Sequence, residues 1–498
     1  MNLASLIEPH PADDVAIISR GRATTFGELR DQVGHLRGGL VGLGLEPGDR
    51  IGIICANNWY FVASYLAALG AGLVAVPLNP LSPRIELERE LAAIGARAVI
   101  VGPSAQQHFV QPDPAALPAL ELVIHSRPEA PGDGVVALAD LLGADPVPIV
   151  ERNEDDLAVL IFTSGTAGSP KAAMLSHGNL LANIAQARAA DLDEERDPDV
   201  ILGVLPMFHI FGLNVMLGMG LSSGSTVLLI ERFDPVAAIE AIANHGVTVI
   251  FGAPTMWSTW APMPGIADDA FAGVRRATSG AARLPPEVGQ QMRDRFGLEL
   301  FEGYGLTEAS PVVTTSAGLP WHPGSIGVPL PGVDVRLVDA DGEDTLVGDS
   351  GEIWVHGPNV FQGYWNDPEA SRAALTEDRW LRTGDIAVVD DDGFLYLVDR
   401  AKDLIIVSGF NVFPAEVEEV IAEHPAVETA AVVGVAHPHS GEAVRAYVVV
   451  RDGASVEEDD IIEFCAARLA RYKCPAKVMF VDQLPQNASG KVLRRALI

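Results

Sequence analysis

Apolar residues along the first 300 positions switch repeatedly between helical and strand spacing. "FVASYLAALGAG" (61–72) gives way to "LVAVPL" (73–78), "ELERELAAIGA" (86–96) to "RAVIVG" (97–102), and "PVAAIEAIANHG" (235–246) to "VTVIFG" (247–252). A helix that carries the chain back to the next strand makes parallel neighbours, and strands apolar on both faces need helices above and below. The pattern predicts a mainly parallel sheet covered by helices. From about residue 325 the texture changes. "GVDVRLVDADGED" (332–344), "GEIWVHG" (351–357) and "AVVDDDGFLYLVDR" (387–400) read as short alternating strands with Asp-Gly turns. Beyond Arg400, "DLIIVSG", "AEVEEVIAEHP", "VETAAVVGV", "AVRAYVVVR" and "EEDDIIEFCAARLARY" read as strand, helix, strand, strand and helix. The expected organisation is an α/β fold. Residues 1–400 form a large N-terminal region of helix-covered sheets, with a β-rich subdomain at about 325–400. Residues 401–498 form a small α+β C-terminal domain, the boundary falling between Arg400 and Asp403. No internal repeat is evident.

Composition agrees with a large core: 48% of the 498 residues are hydrophobic and 20% charged, too long a chain for one core. The uncharged stretch 51–83 is long enough for a membrane span. Asn57, Asn58, Gly70, Gly72 and Pro77 interrupt it, so it reads instead as strand, helix and strand of a soluble interior. Cys55, Cys465 and Cys474 match no metal spacing or disulfide framework, and "MNLASLIEPH" has neither a basic start nor a long apolar run. Both point to the cytoplasm. A net charge of −32 argues against nucleic acid as a partner, because phosphate backbones need a basic face. Only five of the 34 cationic side chains are lysine: Lys171, Lys402, Lys473, Lys477 and Lys491. Four of these follow residue 400 and join Arg471, Arg494 and Arg495, a basic cluster that suits anion handling.

The stretch "LIFTSGTAGSPKAAMLSH" (160–177) holds the first of these lysines. "DLAVLIF" reads as a strand and "AAML" as another, so the loop between them runs strand to strand. Thr163, Ser164 and Thr166 supply hydroxyls, Gly165 and Gly168 let backbone N–H groups converge on an anion, and Lys171 adds charge. A Walker A loop needs Gly-Lys-Ser/Thr, whereas Lys171 follows Pro170, so a P-loop nucleotidase is disfavoured. On these residues alone, a phosphate-holding loop and a plain polar connection both remain open.

"FTSGTAGSPK" resembles the phosphate loop of the adenylate-forming enzymes: acyl-CoA synthetases, peptide-synthetase adenylation domains and beetle luciferases. Further stretches resemble that superfamily's motifs in the same order: "LPMFHIFG" (205–212), "SGAARL" (279–284), "EGYGLTE" (302–308), "LRTGD" (381–385), "LVDRAKDLIIVSGFNVFPAEVE" (397–418) and "LPQNASGKVLRR" (484–495). The resemblance implies attack of a carboxylate on the α-phosphate of ATP, giving acyl-AMP and pyrophosphate, then transfer of the acyl group to coenzyme A. Lys491, His209 and Glu308 would be catalytic. ATP would meet Thr163, Ser164, Gly165, Thr166, Ala167, Lys171, Ala281, Ala282, Glu302, Gly303, Tyr304, Thr307, Asp385, Arg400 and Lys491. Tyr304 would pack on adenine, and Asp385 and Arg400 would take the ribose. Mg2+ would sit on Glu308 with Thr166. The acid would lie against His209, Phe211 and Gly280, and coenzyme A against Arg232, Ser408 and Gly409. A mobile C-terminal domain would turn about Lys402 between the two steps. Ala167 departs from the superfamily pattern, which has a second threonine there, and Ala172 stands in place of glycine.

Several bland readings compete locally. Glu308 fits a helix-start carboxylate, Asp385 a turn residue, His209 a structural histidine, and Lys402 a surface lysine paired with Asp399 or Asp403. The apolar run Phe208, Ile210, Phe211, Leu213, Val215, Met216 favours a medium- or long-chain fatty acid. An aryl or arylpropenoic acid is the alternative, as is transfer to a separate carrier protein instead of coenzyme A. A nucleotide-binding protein without catalysis would not need Lys491, Glu308 and Asp385 together. The expected state is a monomer or homodimer without a transmembrane segment, with room for peripheral membrane contact.

Overall fold

Asp234 shows how local sequence sets the elements. Its carboxylate accepts from the backbone N–H groups of Val236 and Ala237 (3.1 and 2.8 Å), Pro235 fills the first helical position, and Gly246 ends the helix in the left-handed region at φ 62°. Each residue satisfies or removes an end group the helix cannot pair by itself. Thr25 and Glu28 close a reciprocal capping box at the start of the helix Phe26–Gly42. The uncharged stretch resolves into the strand Arg50–Ile54, the helix Trp59–Gly70 and the strand Val74–Leu78. At twelve residues that helix is about 18 Å long, short of a bilayer. Among the described residues no helix is long and apolar enough to cross a membrane.

The computed structural model describes the chain except residues 106–108, 110–111, 128–134, 164–170, 191–197, 401–404, 408–409, 413, 438–440, 470, 487–491 and 498. The chain divides into two compact units, residues 1–334 with 355–381, and residues 335–354 with 382–498. Residues 401–404, which hold most of the boundary expected from sequence, lie outside the described residues.

The first unit is built on two sheets. One has seven strands in the order Val135–Ala137, Leu122–His125, Ala98–Val101, Arg50–Ile54, Val74–Leu78, Leu157–Thr163, Lys171–Ser176. All neighbours are parallel except the last pair, which is antiparallel. The other has nine strands and is parallel from Val15–Ser19 through Thr226–Leu229, Val200–Gly203, Val249–Gly252 and Arg276–Ser279 to Leu300–Gly305. Antiparallel strands close both of its ends. One face packs its Leu202, Ile250 and Ala277 against the helices Pro235–His245, Pro254–Trp260 and Pro286–Phe296. Trp257 and Trp260 are fully buried there, with ring centroids 5.6 Å apart, the edge-to-face contact aromatic quadrupoles favour.

The second unit contains most of a four-stranded sheet in the order Asp334–Val338, Gly351–His356, Leu381–Val389, Leu395–Arg400. The last two strands meet in an Asp-Gly turn. Asp390 accepts from the N–H groups of Asp392 and Phe394, and Gly393 takes φ 85°. The α+β part follows: Ile405–Val407 and Phe410–Val412 as a hairpin, the helix Pro414–Ala422, the long antiparallel pair Val427–His437 and Gly441–Val450, the helix Glu458–Ala466, and a parallel strand Lys477–Phe480. The hairpin partner and the last strand are additions to the sequence expectation. Three cations of the expected basic cluster have partners within this unit. Lys473 binds both oxygens of Glu416 (2.6 and 2.7 Å), Arg494 pairs with Glu418 at 2.8 Å, and Lys477 pairs with Glu458 at 3.0 Å. These cations tie the unit to itself.

Candidate active site

Two parallel strands end side by side in the nine-stranded sheet. Ser279 of Arg276–Ser279 is in register with Glu302 of Leu300–Gly305. Their carboxyl ends bring together Gly280, Ala281 and Ala282 on one side and Glu302, Gly303 and Tyr304 on the other, the edge of a parallel sheet at which α/β proteins bind ligands. Ala281 and Ala282 are exposed and Tyr304 is buried. Ala281 takes φ 69°, in the left-handed region where a Cβ is strained. Burial pushes the Glu302 carboxyl up to about 7, opposed by the Leu284 N–H, which donates to it at 3.4 Å, and by the Arg283 charge.

Phe211 lies against this edge. A Cβ built on Gly280 would stand 3.0 Å from two atoms of the Phe211 ring, and Phe251 meets that ring edge-on with centroids 6.3 Å apart. Phe211 opens Phe211–Met219, a π-helical stretch that no sequence spacing predicts. His209 lies two residues earlier, its ring 4.5 Å from that of Phe208. Its Nε2 has no hydrogen-bond partner among the described residues, and burial lowers its pKa to about 4, so the imidazole is neutral near pH 7.

The turn after Leu300–Gly305 carries Thr307 and Glu308. Its backbone is clamped by buried amides: Asn359 donates to the Ala309 carbonyl (2.8 Å), Asn214 to the Ser310 carbonyl (2.7 Å), and Asn183 exchanges two bonds with Val312 (2.8 and 3.0 Å). Each amide is at most 2% exposed. Leaving one such carbonyl unpaired would cost roughly 1–3 kcal/mol. The Phe361 N–H donates to the Glu308 carbonyl at 2.8 Å.

On the other sheet, Thr163 and Lys171 face each other as the last register pair of an antiparallel hairpin, so the loop between them does run strand to strand. Residues 164–170 lie outside the described residues, and with them Ser164, Gly165, Thr166 and Ala167. Tyr364 joins this hairpin to the Glu308 turn. It forms a bridge with Ala173, its hydroxyl donates to Glu308 Oε1 at 2.6 Å, and Lys171 Nζ lies 5.2 Å from its ring centroid. Burial, and then the Glu308 charge, push the phenol above its ordinary value, so Tyr364 keeps its proton and donates. The second oxygen of Glu308 has no partner among the described residues. No three acidic, histidine or cysteine side chains converge among them either. A hard divalent ion fits such a site: one carboxylate oxygen from the protein, with phosphate oxygens and water as its other ligands.

Tyr364, Asn183, Asn214 and Asn359 were not singled out by sequence, although Asn214, alone and polar within an apolar run, was a visible signal. Arg232 is exposed, and no hydrogen bond or ion pair joins it to another candidate among the described residues. In the second unit, Asp385 follows Gly384 (φ 72°), takes an N–H bond to Thr383 Oγ1 at 3.1 Å, and stands in register with Arg400 on the neighbouring strand. That register makes the two positions expected at the ribose neighbours along the backbone. Lys402, Ser408, Gly409 and Lys491 lie outside the described residues.

Comparison with known proteins places the chain in a family. Residues 5–365 match the AMP-binding enzyme family and residues 416–491 the AMP-binding enzyme C-terminal domain. Feruloyl-CoA synthase of Amycolatopsis sp is 38% identical over 490 residues, 98% of this chain and 95% of that protein. Long-chain-fatty-acid–CoA ligase of Bacillus subtilis (strain 168) is 34% identical over 522 aligned positions, covering 98% and 91%. ATP-bound MatB from Rhodopseudomonas palustris superposes with a TM-score of 0.91 at 32% identity, covering 100% of this chain and 98% of that one. The edge formed by Gly280 and Glu302, and the Glu308 turn beyond it, therefore belong to an AMP-binding enzyme, an acyl-CoA synthetase of the adenylate-forming superfamily that uses ATP, Mg2+ and coenzyme A.

Proposed function

We propose that this ligase activates an aryl or arylpropenoic acid. The observation that carries the reading is the contact of Phe211 with Gly280, closed edge-on by Phe251. Two rings and a residue without a side chain favour a flat acyl group, which aromatic faces hold well. The feruloyl-CoA synthase relative supports it. The apolar run alone favoured a fatty acid, and the Bacillus relative keeps that as the second reading.

In the first step a carboxylate oxygen of the acid attacks the α-phosphorus of ATP. The bond to the bridging oxygen breaks, and pyrophosphate leaves with the electron pair. In the second, the thiol sulfur of coenzyme A attacks the acyl carbon, AMP leaves with the electron pair, and the thiol proton passes to water. Thr163 and Lys171, with residues 164–167, hold the β- and γ-phosphates. Ala281, Ala282, Glu302, Gly303 and Tyr304 enclose adenine, Thr307 meets the α-phosphate, and Asp385 with Arg400 binds the ribose. Glu308 holds the metal ion, which when bound neutralises charge on the phosphates. Neutral His209 flanks the acid's carboxylate without drawing off its charge. Lys491 serves the first step, and residues 408–412, with Arg232, receive coenzyme A in the second, after the C-terminal domain turns about Lys402. A cytoplasmic setting is supported by three free cysteines.

A panel of acids tests the substrate reading. With coenzyme A omitted, pyrophosphate release should be fastest with ferulate- and benzoate-type acids. Adding coenzyme A should yield the thioester. Faster release with C8–C16 fatty acids would instead select the second reading.

A further inference from the structure

Tyr364 belongs to none of the motifs that carry the family resemblance, yet it touches the two charged groups expected to handle the nucleotide's anions. Its hydroxyl donates to Glu308 Oε1 at 2.6 Å, and the Lys171 ammonium lies 5.2 Å from its ring centroid. The residue is itself immobilised. Gln362 N–H donates to the Met174 carbonyl (3.0 Å), Met174 N–H to that of Gly363 (2.9 Å) and Trp365 N–H to that of Ala172 (2.8 Å). Tyr364 N–H donates to Ser371 Oγ at 2.8 Å, and the Phe361 ring packs edge-on at 5.0 Å. The strand Lys171–Ser176 thus carries Lys171 and aligns the tyrosine segment at once.

We propose that Tyr364 is a positioning residue that couples metal binding at Glu308 to phosphate binding at Lys171. Its hydroxyl occupies one carboxylate oxygen and so presents the other to the ion. Its ring offers a cation a face but no competing negative charge, which keeps the ammonium from pairing with Glu308 and leaves it available to phosphate. The proposal rests on the reading of Glu308 as the metal ligand.

Tyr364→Phe separates the two contacts, because it keeps the ring and the packing but removes the hydroxyl. ATP affinity is measured by calorimetry with Mg2+ and again with EDTA, and the Mg2+ concentration for half-maximal pyrophosphate release is titrated. The expected result is ATP binding about tenfold weaker in Mg2+, unchanged affinity in EDTA, a half-saturating Mg2+ concentration raised to a similar degree, and an unchanged KM for the acid. Tyr364→Leu should also weaken binding in EDTA, because the ring is lost. Equal weakening of Tyr364→Phe with and without metal, or an unchanged Mg2+ requirement, would overturn the proposal. Glu308→Gln is the control for the underlying reading. If it leaves the half-saturating Mg2+ concentration unchanged, the metal assignment itself fails. If it raises that concentration while Tyr364→Phe behaves as wild type, only the role of Tyr364 fails.

Discussion

His177 and His209 both have their proton affinity lowered by burial, to about 4 in each case. For His177 the geometry adds a reason: Nδ1 accepts the Leu3 N–H at 3.0 Å, and a proton on that nitrogen would remove the acceptor. The sign follows directly. The unfolded chain takes up the proton near pH 6.5, whereas the folded chain resists until about 4, so the unfolded state binds more protons between those values. His177 therefore contributes stability that is complete above pH 6.5 and is lost as pH falls toward 4. The loss approaches about 1.4 kcal/mol per pH unit. Glu90 and Glu302, both raised to about 7 by burial, act in the opposite direction, losing stability as pH rises from 4.5 toward 7. A comparison with a single-site variant removes their contribution. Urea midpoints at pH 7 and pH 5 should fall less between the two for His177→Asn than for wild type. Parallel falls would show that His177 titrates normally in the folded chain.

Elements differ in how much of them the sequence reveals. The helix Pro235–His245 was readable at both ends, because Asp234, Pro235 and Gly246 each do a local job. The parallel strands were readable because both faces are apolar, as in the fully buried Ala98–Val101. The site's supports were not. Tyr364 meets Glu308 across 56 residues and Lys473 meets Glu416 across 57, and no periodicity encodes a pairing at that distance. The π-helical turn Phe211–Met219 was hidden too, since its apolar residues fit an ordinary helix. Yet it sets where Phe211 lies. Gly280→Ala tests that placement. The new methyl would crowd the Phe211 ring at 3.0 Å and push it into the space proposed for the acid. KM for an aryl acid should rise about tenfold, in line with a lost hydrophobic fit, with KM for ATP and the melting temperature little changed. Adding Phe211→Leu should relieve the crowding and restore part of the acid affinity. An unchanged acid KM in Gly280→Ala would remove both residues from the acyl wall.

At the scale of the molecule, the proposed reaction has two steps, adenylation and thioester formation, and the first brings anions together. The chain's charge makes the choice of cations narrow. With a net charge of −32, the cations that offset a carboxylate and a triphosphate brought together come from 34 lysines and arginines among 66 acidic side chains. In the second unit Lys473, Lys477 and Arg494 are each bound to a glutamate of the same unit. Recruiting any of them to substrate would leave a carboxylate behind and undo a tie of the fold. Of that unit's remaining lysines, Lys402 and Lys491, the family resemblance gives Lys402 the hinge and Lys491 the junction of the acid's carboxylate and the α-phosphate. If Lys491 acts only in the first pose of a turning domain, the two half-reactions must respond differently to its loss. Lys491→Ala should lower acid-dependent pyrophosphate release by several orders of magnitude, because both charge neutralisation and alignment of the attack go with it. Thioester formation from supplied acyl-adenylate and coenzyme A should stay within about threefold of wild type, since that step needs no new charge at phosphorus. The comparison requires a folded variant, which an unchanged melting temperature establishes. Equal loss of both half-reactions in such a variant would mean that one fixed arrangement serves both steps, and the turning domain would have to be abandoned.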